Sequence, residues 1–203
     1  DYPANFNDSV HQLYLGKDYK IAAGLKYRIL EDNLAYVYYE SFTSSIGDGN
    51  ISAMIDELRT CNGMILDVRS NSGGNLTYAT KLASFFTNEK KLVGYMAHKT
   101  GIGHNDFSKP LAEFIEPAYG LRWQKPVVVL TNRSCYSSTN TFVRNMRVCP
   151  QVTIMGDKTG GGSGMPFTSE MPNGWLIRFS ACPMFDHEMK QIEFGIEPDI
   201  KIS

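Results

Sequence analysis

Two segments, well apart in the chain, hold the residue types that acyl-transfer chemistry needs. Met64-Ile-Leu-Asp-Val-Arg-Ser-Asn-Ser-Gly-Gly74 is an apolar run that empties into a glycine turn. Pro126-Val-Val-Val-Leu-Thr-Asn-Arg-Ser-Cys-Tyr-Ser-Ser-Thr-Asn140 is an apolar run that empties into a cluster of hydroxyls. Gly73 and Gly74 suit positive φ or close approach, and such a turn can present backbone N–H groups to an oxyanion. Hydroxyls at the first turn of a helix stand in a positive field that favours a developing anion. N-capping explains one hydroxyl among Ser134, Ser137, Ser138 and Thr139, but not all of them. The residue types therefore indicate a serine nucleophile on the second turn, without selecting which one, and oxyanion donors on the first.

The base is harder to find. His11, His98, His104 and His187 show no H-E-x-x-H or other metal spacing. His98 and His104 share the polar loop Ala97–Asp106 and are the candidate bases of the middle region. Gly160-Gly-Gly-Ser-Gly164 lacks the lysine of a phosphate loop and reads as a flexible loop facing the substrate. Asp67-Val-Arg69 reads first as an ion pair that ties down a strand end. Cys61, Cys135, Cys149 and Cys182 contain no C-x-x-C and read as buried thiols. No cofactor and no metal is expected.

The elements that must position these residues follow from periodicity. Leu25–Leu30 and Leu34–Tyr39 read as strands joined by a turn at Glu31–Asn33. Ile51, Met54, Ile55 and Leu58 recur at helical spacing, and Asn62-Gly63 reads as a left-handed cap. Met64–Val68 is a buried strand followed by a helix over Asn75–Phe86, and Leu92–Ala97 is a further strand. The stretch His98–Gln124 reads as loop, with a short helix near Leu111–Ile115. Pro126–Leu130 is the next buried strand, followed by a helix over Ser138–Arg147 and a strand at Val152–Met155. Trp175–Ser180 reads as a strand with Phe167–Thr168 as partner, and Gly195–Ile202 as a turn into an edge strand. Repeated strand–turn–helix units of this kind build an α/β domain with a partly parallel sheet.

Taken together, the segments resemble the C-terminal processing (tail-specific) serine peptidases and their tricorn-like and retinoid-binding-protein relatives. Leu66-Asp-Val-Arg-Ser-Asn-Ser-Gly-Gly74 is similar to that superfamily's L-D-L-R-N-N-x-G-G, and Thr131–Asn140 aligns with its serine-rich nucleophile turn. Gly156–Ser163 is similar to the G-x-x-T-x-G-K-G loop, and Gly195-Ile-Glu-Pro-Asp-Ile200 to the closing G-I-x-P-D-I. The resemblance implies a crotonase/Clp-like layered core with a partly parallel sheet flanked by helices. It also implies Ser137 as nucleophile, and the Ser138 N–H with one N–H of Gly73 or Gly74 as oxyanion donors. The family's lysine base falls at Gly162, with Lys158 four residues earlier. Tricorn-like relatives use a histidine before the glycine turn and a glutamate near the C-terminus. Glu193 suits the second role, and His11 is the only histidine ahead of Asp67.

The resulting expectation is a serine peptidase acting on polypeptides by acyl-enzyme chemistry. Its rival is a catalytically silent peptide- or ligand-binding module on the same fold; an acyl-CoA enzyme is disfavoured by the closing motif. Residues 1–203 are expected to form one catalytic domain of a longer chain, without a PDZ module. A net charge of −1 argues against a nucleic-acid groove, and no apolar run reaches the roughly 20 residues of a membrane span. An exported or periplasmic setting is implied by the resemblance alone.

Overall fold

The computed structural model describes Ala22 and residues 24–202. His11 and the irregular stretch expected over residues 1–20 lie outside the described residues.

The central sheet has the strand order β1 (Leu25–Ile29), β2 (Leu34–Tyr39), β3 (Gly63–Asp67), β6 (Val127–Thr131), β7 (Val152–Gly156) and β11 (Ile200–Lys201). Only the β1–β2 pair is antiparallel; every other pairing is parallel. β2 buries alternate residues, Ala35, Val37 and Tyr39, as a half-covered strand does. β3 and β6 are apolar runs at the middle of the sheet, where Leu66 and Val129 face each other across the ladder and are fully buried. Because these two strands are parallel neighbours, the glycine turn and the hydroxyl turn emerge side by side at their carboxyl ends. That edge is where parallel sheets form their clefts.

The helices are α1 (Asp48–Leu58), α2 (Leu76–Ser84) and α3 (Ser138–Arg147). α1 buries Ile51, Met54, Ile55 and Leu58, the residues whose spacing marks it in the sequence. It starts earlier than that spacing indicates, because Asn50 Oδ1 accepts from the Gly47 N–H at 2.8 Å and caps the first turn. It ends with Arg59 in right-handed conformation, so Asn62-Gly63 is not the expected left-handed cap. Gly63 instead opens β3, where its missing side chain admits the Pro126 carbonyl. α3 is buried from Ser138 to Met146 and packs on α2, β7 and the strand Lys91–Met96.

Leu111–Ile115 is not a helix. It forms β5, paired antiparallel with β4 (Lys91–Met96), and β10 (Met184–Asp186) covers the other edge of β4. A five-residue helix cannot recover its nucleation cost, whereas an open strand edge offers a complete ladder. β8 (Pro166–Glu170) and β9 (Leu176–Ser180) form a separate hairpin whose residues are all exposed. No helix among the described residues is long and apolar enough to cross a membrane.

Candidate active site

The glycine turn is built around Asn71, a fully buried side chain. Its Nδ2 donates to the Tyr39 carbonyl at 3.0 Å, and its Oδ1 accepts from the Gly73 N–H at 3.0 Å and the Thr139 hydroxyl at 2.6 Å. One amide thus joins the end of β2, the turn after β3 and the start of α3. The Gly73 N–H is consumed in doing so. Gly73 serves the site by its shape: a Cβ there would lie 2.8 Å from Ser137 Cβ and 2.9 Å from Ser138 N. Both Gly73 and Gly74 have positive φ, and the backbone of Phe42 and Thr43 leaves no room for a side chain at Gly74.

The Gly74 N–H has no acceptor among the described residues. Its direction is fixed from behind: Ser41 Oγ donates to the Gly73 carbonyl of the same peptide plane at 3.1 Å. On the other side Ser138 Oγ donates to the Gly74 carbonyl at 2.6 Å. The Ser138 N–H is likewise without an acceptor among the described residues. Of the sequence-predicted donors, Gly74 and Ser138 therefore have N–H groups to offer, and Gly73 does not.

Ser137 is the N-cap residue of α3, yet its side chain makes no capping bond. Its backbone stands at φ 56° and ψ −122°, outside the helical and extended wells. Such a conformation costs on the order of 1–3 kcal/mol and persists only where the surroundings enforce it. Here the Ser137 N–H donates to the Gly161 carbonyl at 2.7 Å, and Ser163 Oγ donates to the Ser137 carbonyl at 3.3 Å. Two other hydroxyls of the cluster are spent, Ser138 on Gly74 and Thr139 on Asn71, and Ser134 is exposed. Ser137 Oγ alone is half-buried and without a hydrogen bond among the described residues.

Ser137 stands between two lobes of one cleft. The first, of about 380 Å³, is lined by Thr43, Ser72, Gly73, Tyr136, Gly162 and Ser180 among others. The second lies over Asn75, Thr77, Ser138, Thr141 and Met165. Gly74, Ser137, Pro166 and Arg178 border both.

The candidate bases stand elsewhere. Lys158 pairs with Glu197 at 3.2 Å. His98 Nδ1 lies 3.7 Å from Cys182 Sγ, His104 is exposed, and neither histidine lines the cleft. At Gly162 the Tyr136 ring fills the space that a side chain would take, and φ is +71°. Behind the glycine loop, the Glu193 carbonyl accepts from the Gly162 N–H at 2.8 Å. Its carboxylate accepts from the cleft-lining Ser180 hydroxyl at 2.6 Å. Cys135 is no rival nucleophile: its thiol donates to the Val68 carbonyl at 3.1 Å, and burial pushes it up to about 11. Asp67 and Arg69 form the expected ion pair at 2.7 Å, and Tyr36 donates to the same carboxylate.

Asn71, Ser41, Arg178 and Ser180 were not marked by sequence reasoning. Asn71 falls within a recognisable motif, but Arg178 and Ser180 carry only the signal of a strand running toward the glycine loop.

A mostly parallel α/β sheet, opening a polar cleft at its carboxyl end beneath a buried helix, is the architecture of the crotonase/Clp-like serine peptidases. The chain belongs to peptidase family S41, whose model matches residues 33–202. It is 27% identical over 170 residues to the "Probable CtpA-like serine protease" of Staphylococcus saprophyticus, covering 81% of this chain and 32% of that protein. It is 23% identical to the carboxy-terminal processing protease CtpA of Bacillus subtilis, covering 84% of this chain and 35% of that protein. The chain thus spans about a third of the length of these curated relatives. A crystal structure of a Parabacteroides merdae protein matches all of this chain and 65% of its own, at 52% identity and a TM-score of 0.86. Mature CPAF shares the fold at 15% identity and a TM-score of 0.73, covering 87% of this chain and 49% of its own.

Proposed function

We propose that this domain hydrolyses peptide bonds in polypeptides through an acyl-enzyme on Ser137. The observation that carries the reading is the strained Ser137, whose hydroxyl is withheld from capping while those of Ser138 and Thr139 are used. Ser137 Oγ attacks the carbonyl carbon, and the N–H groups of Gly74 and Ser138 hold the oxyanion that forms. Donors already aimed at the developing charge require no reorganisation during the reaction. The α3 N-terminus adds its positive field.

The proton has a route that uses neither a lysine nor a histidine. Ser180 donates its own proton to Glu193, so its oxygen is left as an acceptor facing the cleft. The Ser137 proton passes to Ser180, directly or through a water, as the Ser180 proton passes to Glu193. The reverse transfer protonates the departing amine, and water then hydrolyses the ester by the same relay.

A second reading rests on Gly162. With Tyr136 in the lysine's place, the fold could hold a peptide without cutting it. Fluorophosphonate labelling separates the two. Wild-type protein is expected to label and Ser137→Ala to remain unlabelled at unchanged melting temperature. Labelling that survives the substitution would reject Ser137, and a wild type that neither labels nor cleaves an unfolded polypeptide would establish the binding module.

A further inference from the structure

Among the described residues Arg178 is the one charged side chain lining either lobe of the cleft, and it lines both. It stands on β9 with Leu176 and Ser180 on the same face, opposite Thr168 and Pro166 of β8. Pro166, Phe179 and Ser180 also line the cleft, so this end of the hairpin is the one turned toward Ser137.

The arginine's isolation is unusual in this molecule. Every other arginine is engaged, from Arg28 over the Tyr36 ring to Arg144 against Glu113. The Arg178 side chain has no hydrogen bond, ion pair or ring contact among the described residues. The Glu193 carboxylate, held by Ser180, makes no ion pair with it. A guanidinium presents a planar fork of donors that matches a carboxylate in two parallel bonds.

We propose that Arg178 is a specificity-determining residue that recognises a carboxylate on the polypeptide within a few residues of the bond facing Ser137. That carboxylate is an Asp or Glu side chain or a free C-terminus. The proposal rests on the peptidase reading for its position in the reaction, but not for the binding event. Leu176, on the same face as Arg178, is exposed, so an extended polypeptide would find apolar contact beside the charge.

Three quenched peptides of one sequence test it: uncharged with an amidated end, with Glu beside the cleaved bond, and with a free C-terminal carboxylate. Wild type is expected to prefer one or both carboxylate peptides by roughly 10-fold in kcat/KM, expressed mainly in KM. Arg178→Gln should erase the preference, bringing kcat/KM for the three peptides to within about 2-fold of one another. Arg178→Lys should restore part of the preference, since it keeps the charge and loses the fork. Which carboxylate peptide is preferred identifies the source. Binding of the same peptides to Ser137→Ala, read by fluorescence anisotropy, stands apart from catalysis. There, adding Arg178→Gln should weaken carboxylate peptides roughly 10-fold and leave the uncharged one unchanged. Equal binding of all three peptides by Ser137→Ala, or a preference that survives Arg178→Gln, would overturn the proposal even if the wild type proves active.

Discussion

At the scale of single residues, the site uses the buried Ser138 and Thr139 hydroxyls to hold the two turns together and leaves the Ser137 hydroxyl unspent, along with the Gly74 and Ser138 N–H groups. Ser41, Asn71, Ser138 and Thr139 are occupied in holding the backbone, and Ser137 is not. The proton relay through Ser180 to Glu193 makes a kinetic prediction. Glu193→Gln should lower kcat by at least about 100-fold, the lower range for losing a general base. Lys158→Ala and the double change His98→Ala/His104→Ala should each keep at least half of the activity. If the double histidine variant loses more than Glu193→Gln, a histidine is the base. Much of this scale was legible from sequence. The serine turn and glycine turn carry their residue types openly, and the motif alignment singles out Ser137. The choice between the Gly73 and Gly74 donors was not legible, because it turns on where the Asn71 amide points. Arg178 and Ser180 were not legible either, since they acquire meaning only when a hairpin folds back over the cleft.

At the scale of elements, α3 carries the site at its start and a buried cation near its end. The Arg144 side chain is 3% exposed and meets Glu113 of β5 at 2.7 Å. It also reaches Asn145 Oδ1 and the Phe185 carbonyl of β10. This one guanidinium ties the helix to both edge strands of the three-stranded sheet. Removing its carboxylate strands a charge in the core, a loss ordinarily near 3–5 kcal/mol. Glu113 is itself partly exposed and other acceptors remain, so Glu113→Ala is expected to cost about 2–3 kcal/mol. Urea unfolding measures it, and a loss below about 0.5 kcal/mol, the size of an ordinary surface substitution, would show the pair to be incidental. β5 itself was misread from sequence as a short helix. Its five residues have no clear period, and their strand conformation is set by the open edge of β4, a partner distant in the chain. β3 and β6, at the middle of the central sheet, were legible because burial writes a continuous apolar run.

At the scale of the whole molecule, the parallel order of β2, β3, β6 and β7 is what brings residues 41, 71 and 137 to one edge, and the charges at that edge set how the fold responds to pH. Asp67 closes β3 and is 3% exposed. Burial alone would raise its carboxyl, but hydrogen bonds from the Arg69 side chain, Tyr36 and the Arg69 N–H outweigh burial and hold it below the ordinary value of 3.8. A carboxyl held lower in the folded state binds fewer protons there than in the unfolded chain. Its stabilisation is therefore complete above the unfolded value and is lost as pH falls through the folded one. Burial acts in the opposite sense on Tyr39, raising its hydroxyl well above 10.0. That contribution is complete below about pH 10 and is lost as pH rises toward the folded value. The expected stability profile is flat between these limits and falls at both ends. Asp67→Asn should lower the plateau and flatten the acid fall, because the group that must be protonated is gone. Tyr39→Phe should flatten the alkaline fall while sacrificing the bond to the Ser44 carbonyl, 2.7 Å in length. Urea midpoints measured from pH 3 to 11 test both, and an acid limb unchanged in Asp67→Asn would assign acid sensitivity to other carboxylates and leave the β3 end with a purely local role.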